Sequence, residues 1–151
     1  MQLAVVEFAR NVVGLDKAHS TEVNPKTQYP VIDILPDQKE KVAKKDLGGT
    51  MRLGHYECNV LPKTLVRKLF GKASTMERHR HRYEFNNEFR EQLIANGLTV
   101  SGVNPDQDLV EIIELLDHPF FVGTQFHPEL QSRPLDPHPV FKGFMRAAMK
   151  R

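Results

Sequence analysis

Two apolar runs in the C-terminal third constrain the fold most. Residues 109–116 are apolar apart from Glu111 and Glu114, and residues 120–126 form a second run, with His118-Pro119 joining them. Both read as strands, and the second leads directly into His127-Pro128-Glu129. On extended backbone, side chains two residues apart point to the same side. Pro128 holds its own φ and pushes His127 toward extended geometry. Glu129 can then accept one ring N–H of His127 and fix its tautomer, while the other ring nitrogen faces a nucleophile. The pair thus reads as two-thirds of a catalytic triad. The competing reading is a surface turn with two solvated polar residues. Strand ends are where α/β enzymes place their chemistry, which raises the functional reading to parity with the bland one.

The missing third would be a cysteine of low pKa on a sharp turn at a helix N-terminus. The one cysteine, Cys58, lies in Tyr56-Glu57-Cys58-Asn59, without elbow glycines or a following helix. A cysteine in such a strand is a small buried apolar group rather than a nucleophile. The nucleophile is therefore expected to be absent from these 151 residues, which begin where its helix would begin.

The length suits one domain, and 40% hydrophobic content supplies a core. No apolar run approaches 18 residues, so no membrane span is expected. The first residues lack the basic stretch and cleavage site of a secretory signal. A single cysteine excludes an internal disulfide and suits a reducing cytoplasm. With 21 basic and 19 acidic residues the net charge is +2, no footprint for a large polyanion.

Along the chain, residues 2–14 carry a helical stripe of Leu3, Val6, Phe8, Ala9, Val12 and Val13 that ends at Gly14. Residues 16–30 look loop-like, 31–35 form a short strand, and 37–49 form a charged surface connection. Residues 50–61 alternate in part, as one long strand or a strand pair. Pro62 suits the first turn of a short helix through Phe70. Asn86 or Asn87 caps a helix with Phe89, Leu93 and Ile94 on its apolar face, closing at Gly97. Residues 98–103 are a strand, and Asn104-Pro105-Asp106 is a turn. His138-Pro139 opens a last helix with Phe141, Phe144, Met145 and Ala148 on one face. The order helix, strands, helix, strands, helix predicts an α/β layered domain with mixed sheet content.

Arg78-His79-Arg80-His81-Arg82 admits three readings. It could neutralise nucleic-acid phosphates, although a short cluster in a nearly balanced chain is a weak footprint. His79 and His81 could join His55 on a metal, although the accompanying Cys or carboxylate spacing is missing. One arginine could also offer its planar fork to a substrate carboxylate.

Gly123-Thr124-Gln125-Phe126-His127-Pro128-Glu129 resembles the His/Glu signature of class I (triad-type) glutamine amidotransferases. In that family a Cys-His-Glu triad hydrolyses glutamine to glutamate and ammonia through a thioester. Met1-Gln2 before an apolar helix resembles the last two positions of the family's nucleophile elbow. Within the family, further stretches are similar to the CTP synthase branch. They are Val31-Ile32-Asp33-Ile34-Leu35-Pro36-Asp37-Gln38, Gly49-Thr50-Met51-Arg52-Leu53-Gly54, Glu77-Arg78-His79-Arg80-His81-Arg82-Tyr83-Glu84-Phe85-Asn86 and Val110-Glu111-Ile112-Ile113-Glu114.

The resemblance implies a layered fold with a central, mostly parallel sheet flanked by helices, here lacking the elbow and upstream strands. It implies His127 and Glu129 as catalytic residues. Met1, Gln2, Glu22 and Arg82 would contact glutamine, with Arg82 on its α-carboxylate and Glu22 near its α-ammonium. Arg52 falls in a region tied to GTP activation, against the plain reading of an exposed strand arginine. No metal is expected in this part. ATP, Mg²⁺ and GTP belong to the full-length enzyme, whose synthase domain aminates UTP and which is expected to be a cytoplasmic homo-oligomer (tetramer). The 151 residues alone are expected to be inactive, and poorly soluble unless their apolar faces are covered. The rivals are another class I amidotransferase, a non-catalytic glutamine- or nucleotide-binding module, and a nucleic-acid binder using residues 78–82.

Overall fold

The stripe at residues 2–14 holds in part: helix α1, Gln2–Asn11, buries Val6, Phe8 and Ala9 together with Val5 in the larger hydrophobic cluster, whereas Leu3 and Val12 of the expected stripe are exposed. Gly14, at φ +81°, turns the chain away from the helix, a conformation that suits glycine. In this computed structural model the described residues are 1–34 and 51–150. The charged connection at 37–49, Leu35-Pro36-Asp37-Gln38 and Gly49-Thr50 lie outside them.

Strand β1, Ala18–Ser20, sits inside the stretch expected to be loop. It is too short to show a period, and parallel pairing with β2, Tyr29–Asp33, holds it extended. The expected strand pair or single strand at 50–61 is one strand, β3, Arg52–Val60. Helix α2 is Leu65–Phe70 and strand β4 is Ser74–His81. Strand β5, Glu84–Phe85, pairs antiparallel with β2. A 3₁₀ turn at Asn87–Phe89, capped by Asn86, leads into helix α3, Arg90–Ala95. Strands β6 (Thr99–Val103), β7 (Val110–Glu114) and β8 (Val122–Thr124) follow, then a 3₁₀ turn at Pro128–Leu130 and helix α4, Pro139–Ala148.

The described strands form a three-stranded sheet, ordered β1-β2-β5, and a five-stranded one, ordered β4-β3-β6-β7-β8. Only β1 and β2 run parallel; each pairing in the five-stranded sheet is antiparallel. The described residues therefore do not display the expected mostly parallel sheet. The turns between β6, β7 and β8 are short and return the chain antiparallel, whereas parallel neighbours ordinarily require a crossover of about a dozen residues or more.

Two helices differ from expectation, one in its start and one in its buried face. Pro62 lies ahead of α2, whose N-cap is Thr64; its hydroxyl accepts from the Arg67 N–H at 3.2 Å. Buried Glu114, one of the two acids that break the run at 109–116, accepts from the backbone N–H groups of Leu65 and Val66 at 2.9 and 2.8 Å. Its side-chain oxygens thus satisfy two of the free N–H groups at the start of the helix. In α4 the face carrying Phe141, Phe144 and Met145 is the exposed one, and Val140 and Gly143 turn inward. A Cβ at Gly143 would stand 2.7 Å from a Leu69 methyl, so close approach of α2 and α4 selects which side packs.

Candidate active site

His127 follows β8 with an extended backbone, and its N–H donates to the Arg78 carbonyl of β4 at 2.9 Å. Pro128 then starts the 3₁₀ turn, fastened by the Leu130 N–H on the His127 carbonyl at 3.1 Å. The His127 Nδ1 and Glu129 Oε1 stand 2.7 Å apart. The two side chains thus meet as expected, but across a tight turn rather than along an extended strand. Gln131 seats this turn on the edge of β4: its amide donates to the Met76 carbonyl at 3.1 Å and accepts from the Arg78 N–H at 3.0 Å. Partial burial pushes the Glu129 carboxyl up, but a bond from its own backbone N–H and the bond and charge of His127 outweigh this, leaving it below the usual carboxylate range. An ionised Glu129 holds the proton on Nδ1 and leaves Nε2 for proton transfer.

Of the expected glutamine-contacting residues, Gln2 and Arg82 come together at one turn. Gln2 donates to the Tyr83 carbonyl at 2.9 Å, and Gln125 of the His127 segment donates to the same oxygen at 2.7 Å. Burial raises the Tyr83 hydroxyl above its ordinary range, the Glu22 charge adds to this and Arg82 opposes it, so both charges act at Tyr83. Glu22 is exposed and Arg82 half-buried. A Cβ at Gly123 would lie 2.9 Å from Ile113 and 3.3 Å from the Met1 Cα, so the glycine lets the start of α1 lie close against β8. The start of α1, with Met1 and Gln2, and the approach to His127 thus meet at Tyr83, next to Arg82.

Strand β4 alternates. Arg78 and Arg80 are exposed, as the solvated-strand reading required, while Glu77 and His79 are buried. The metal reading of the histidines fails on this parity: exposed His55 pairs with Arg78 on the outer face, whereas His79 Nδ1 lies 2.8 Å from His81 Nε2. Among the described residues no group of three or more His, Cys, Asp or Glu side chains is placed to hold a metal ion.

Arg52 corrects the expectation of an exposed strand arginine. It is 4% exposed, 2.8 Å from Glu111 and 3.4 Å from Glu84, with its guanidinium over the Tyr56 ring at 4.4 Å. Its guanidinium is thus held inward against the two carboxyls. His79 Nε2 lies 3.4 Å from Glu111 Oε2, an ion-pair distance without hydrogen-bond alignment, since neither atom has a hydrogen-bond partner. His81 Nδ1 faces the Tyr83 carbonyl at 3.2 Å and Glu84 at 3.3 Å. Burial, opposed by Arg52, pushes Glu84 up to about 8 and Glu111 up to about 7. Burial and the Arg52 charge lower His79 to about 2 and His81 to about 4. Near neutral pH the imidazoles are uncharged, and proton uptake by the carboxyls limits the charge that must be buried.

Sequence reasoning passed over Gln125, Glu84, Glu111, His79 and His81 as a connected group. The available signals were an acid inside an apolar run and histidines alternating with arginines; neither identifies a partner. Cys58 is fully buried and, through burial first and neighbouring carboxylates second, its thiol is held far above its ordinary range. It does not supply a thiolate.

The chain belongs to the class-I glutamine amidotransferase family, whose profile matches residues 1–147. It is similar to the CTP synthases of Staphylococcus aureus: for strain NCTC 8325 / PS 47 the identity is 57% over 150 residues, 99% of this chain and 27% of that protein. The chain thus spans about a quarter of the length of these curated relatives. Its fold matches the glutaminase domain of Trypanosoma brucei CTPS, solved with bound acivicin, with a TM-score of 0.91 and 36% identity over 100% of this chain and 58% of that one. A Thermoplasma acidophilum protein of the GMP synthase type shares the fold alone, with a TM-score of 0.50 and 17% identity over 68% of this chain and 46% of that one.

Proposed function

We propose that these residues form the glutamine-hydrolysing site of a CTP synthase, releasing ammonia for amination of UTP to CTP. The observation that carries this reading is the His127–Glu129 hydrogen bond, on a segment whose Gln125 shares the Tyr83 carbonyl, next to Arg82, with Gln2. Arg82 offers a planar fork to the α-carboxylate of glutamine, and Glu22 supplies a negative partner for its α-ammonium. His127 takes the proton of the attacking thiol, returns it to departing ammonia, then removes a proton from the water that opens the thioester. Glu129 keeps the imidazole in the required tautomer and offsets its positive charge in each transfer.

The thiol is supplied from outside these 151 residues, because Cys58 is buried in β3. The elbow and the strands that complete a larger, mostly parallel sheet also lie outside them. The 151 residues by themselves are therefore inactive. ATP, UTP and Mg²⁺ belong to a synthase domain of the same polypeptide. The described residues do not suit the metal: none gathers three ligating side chains, and Glu84 and Glu111 are engaged by Arg52. GTP acts on the full-length, cytoplasmic, tetrameric enzyme, with the region around Arg52 a candidate for its effect, the guanidinium itself being held by Glu84 and Glu111.

The test compares the full-length enzyme with the 151-residue chain. Full-length protein should form CTP from UTP with either glutamine or ammonia, and the isolated chain should release no ammonia from glutamine. Absence of glutamine-dependent CTP formation by the full-length enzyme would overturn the reading. Sustained hydrolysis by the isolated chain would overturn the assignment of the nucleophile.

A further inference from the structure

Three segments that carry the site do not touch through their functional side chains alone; they meet at one backbone oxygen. The Tyr83 carbonyl, next to Arg82, accepts from Gln2 at the start of α1 and from Gln125, two residues before His127. Gln125 is 5% exposed, and its backbone N–H donates to the Glu111 carbonyl of β7 at 2.8 Å. Its side-chain nitrogen also lies 3.1 Å from His81 Nδ1 and 3.2 Å from Glu84 Oε2. The strand end is thus bonded to the turn that carries Arg82 through the Gln125 side-chain amide.

We infer that Gln125 is a positioning residue for glutamine use: its amide sets the Arg82-Tyr83 turn at a fixed distance from His127, so that a carboxylate bound by Arg82 presents the other end of its molecule to the imidazole. The inference rests on the glutaminase reading above. Gln125 touches no reacting atom. Its effect passes through the Tyr83 carbonyl, and loss of the bond leaves the turn to the weaker hold of Gln2 and His81. Misplacement of a substrate-holding group by a fraction of an ångström to an ångström is enough to cost one to two orders of magnitude in rate.

The titratable groups around the Gln125 amide are His81 and Glu84 directly, with His79, Arg52 and Glu111 behind them. They define a second, diagnostic variant. Gln125→Met keeps the length and removes the donor. Gln125→Glu keeps the shape and, while protonated, one donor; ionised, it has none.

The experiment measures CTP formation by the full-length enzyme with glutamine and with ammonium chloride, for the parent and both variants, across pH. For Gln125→Met the expected result is a rise of roughly tenfold or more in the KM for glutamine, with ammonia-dependent kcat/KM within about twofold of the parent. For Gln125→Glu the KM defect relative to the parent grows as pH rises, a signature that a packing role would not produce. An unchanged KM for glutamine, equal loss with both nitrogen sources, or a pH-independent Gln125→Glu defect overturns the inference. Should Gln125→Met not fold, Gln125→Glu decides alone. A parent enzyme unable to use glutamine would instead remove the glutaminase reading, which separates the two failures.

Discussion

Nδ1 of His127 and Oε1 of Glu129 are 2.7 Å apart across a single proline, on a turn that Gln131 fastens to β4. The carboxylate fixes the tautomer by geometry as well as charge. Because the His127 and Glu129 side chains are 39% and 58% exposed, water competes for the bond and its electrostatic worth is screened. Glu129→Gln in the full-length enzyme should therefore lower glutamine-dependent kcat by roughly 10- to 100-fold, less than a buried triad carboxylate would. His127→Asn should abolish glutamine use. Neither should alter turnover with ammonia, and parallel assays with the two nitrogen sources check this.

Arg82 lies just beyond the end of β4, half-buried beside Tyr83, where it can present a fork rather than a point charge. Arg82→Lys keeps the charge and loses the two parallel N–H groups. It should raise the KM for glutamine by roughly 10- to 150-fold, the worth of one charge-assisted hydrogen bond at about 1.5–3 kcal/mol, with ammonia use spared. An equal loss with both nitrogen sources would contradict the clamp.

The buried network around Arg52 gives stability a definite pH dependence. Glu84 and Glu111 have folded values of about 8 and about 7 against 4.5 in the unfolded chain, so their contribution is fully present below 4.5 and is lost as pH rises through 7 to 8. His79 and His81, at about 2 and about 4 against 6.5 unfolded, contribute stability above 6.5 that is lost as pH falls toward those values. Between 4.5 and 6.5 the two effects oppose each other. The network therefore favours a plateau there, a decline above it from the carboxyls and a decline below it from the imidazoles. Thermal unfolding midpoints across pH should show this shape. Glu84→Gln and Glu111→Gln should each flatten the decline above about pH 6.5.

Gly123 has no room for a methyl group between Ile113 and the Met1 backbone. Gly123→Ala should destabilise the domain by about 1–3 kcal/mol, the usual range for overpacking. It should also raise the KM for glutamine by pushing the start of α1 away from β8. Denaturant unfolding with paired glutamine and ammonia kinetics separates the two effects, and a fully stable variant with a normal KM would show that the contact is dispensable.

Local patterns carried much of this structure. The apolar pattern in residues 2–14 contains α1, although Leu3 and Val12 face outward, and the apolar run at 109–116 contains β7. His127 and Glu129 were legible because two residues and a proline set their relation within one turn, whether or not the backbone is extended. Elements stabilised from a distance were not legible: three-residue β1 exists through its pairing with β2, and α4 exposes its more apolar face because Gly143 admits Leu69.

The amino-acid order by itself determined the spacing of His and Glu, the alternation that sends Arg78 and Arg80 outward from His79, and the absence of an accessible cysteine in this stretch. Tertiary structure decided what these groups meet. It buried Arg52 between two carboxyls from β5 and β7, capped α2 with Glu114, and brought Gln2 and Gln125 to one carbonyl. Such partners lie tens of residues apart, and their choice follows from the need to satisfy each buried polar group once the sheets have closed.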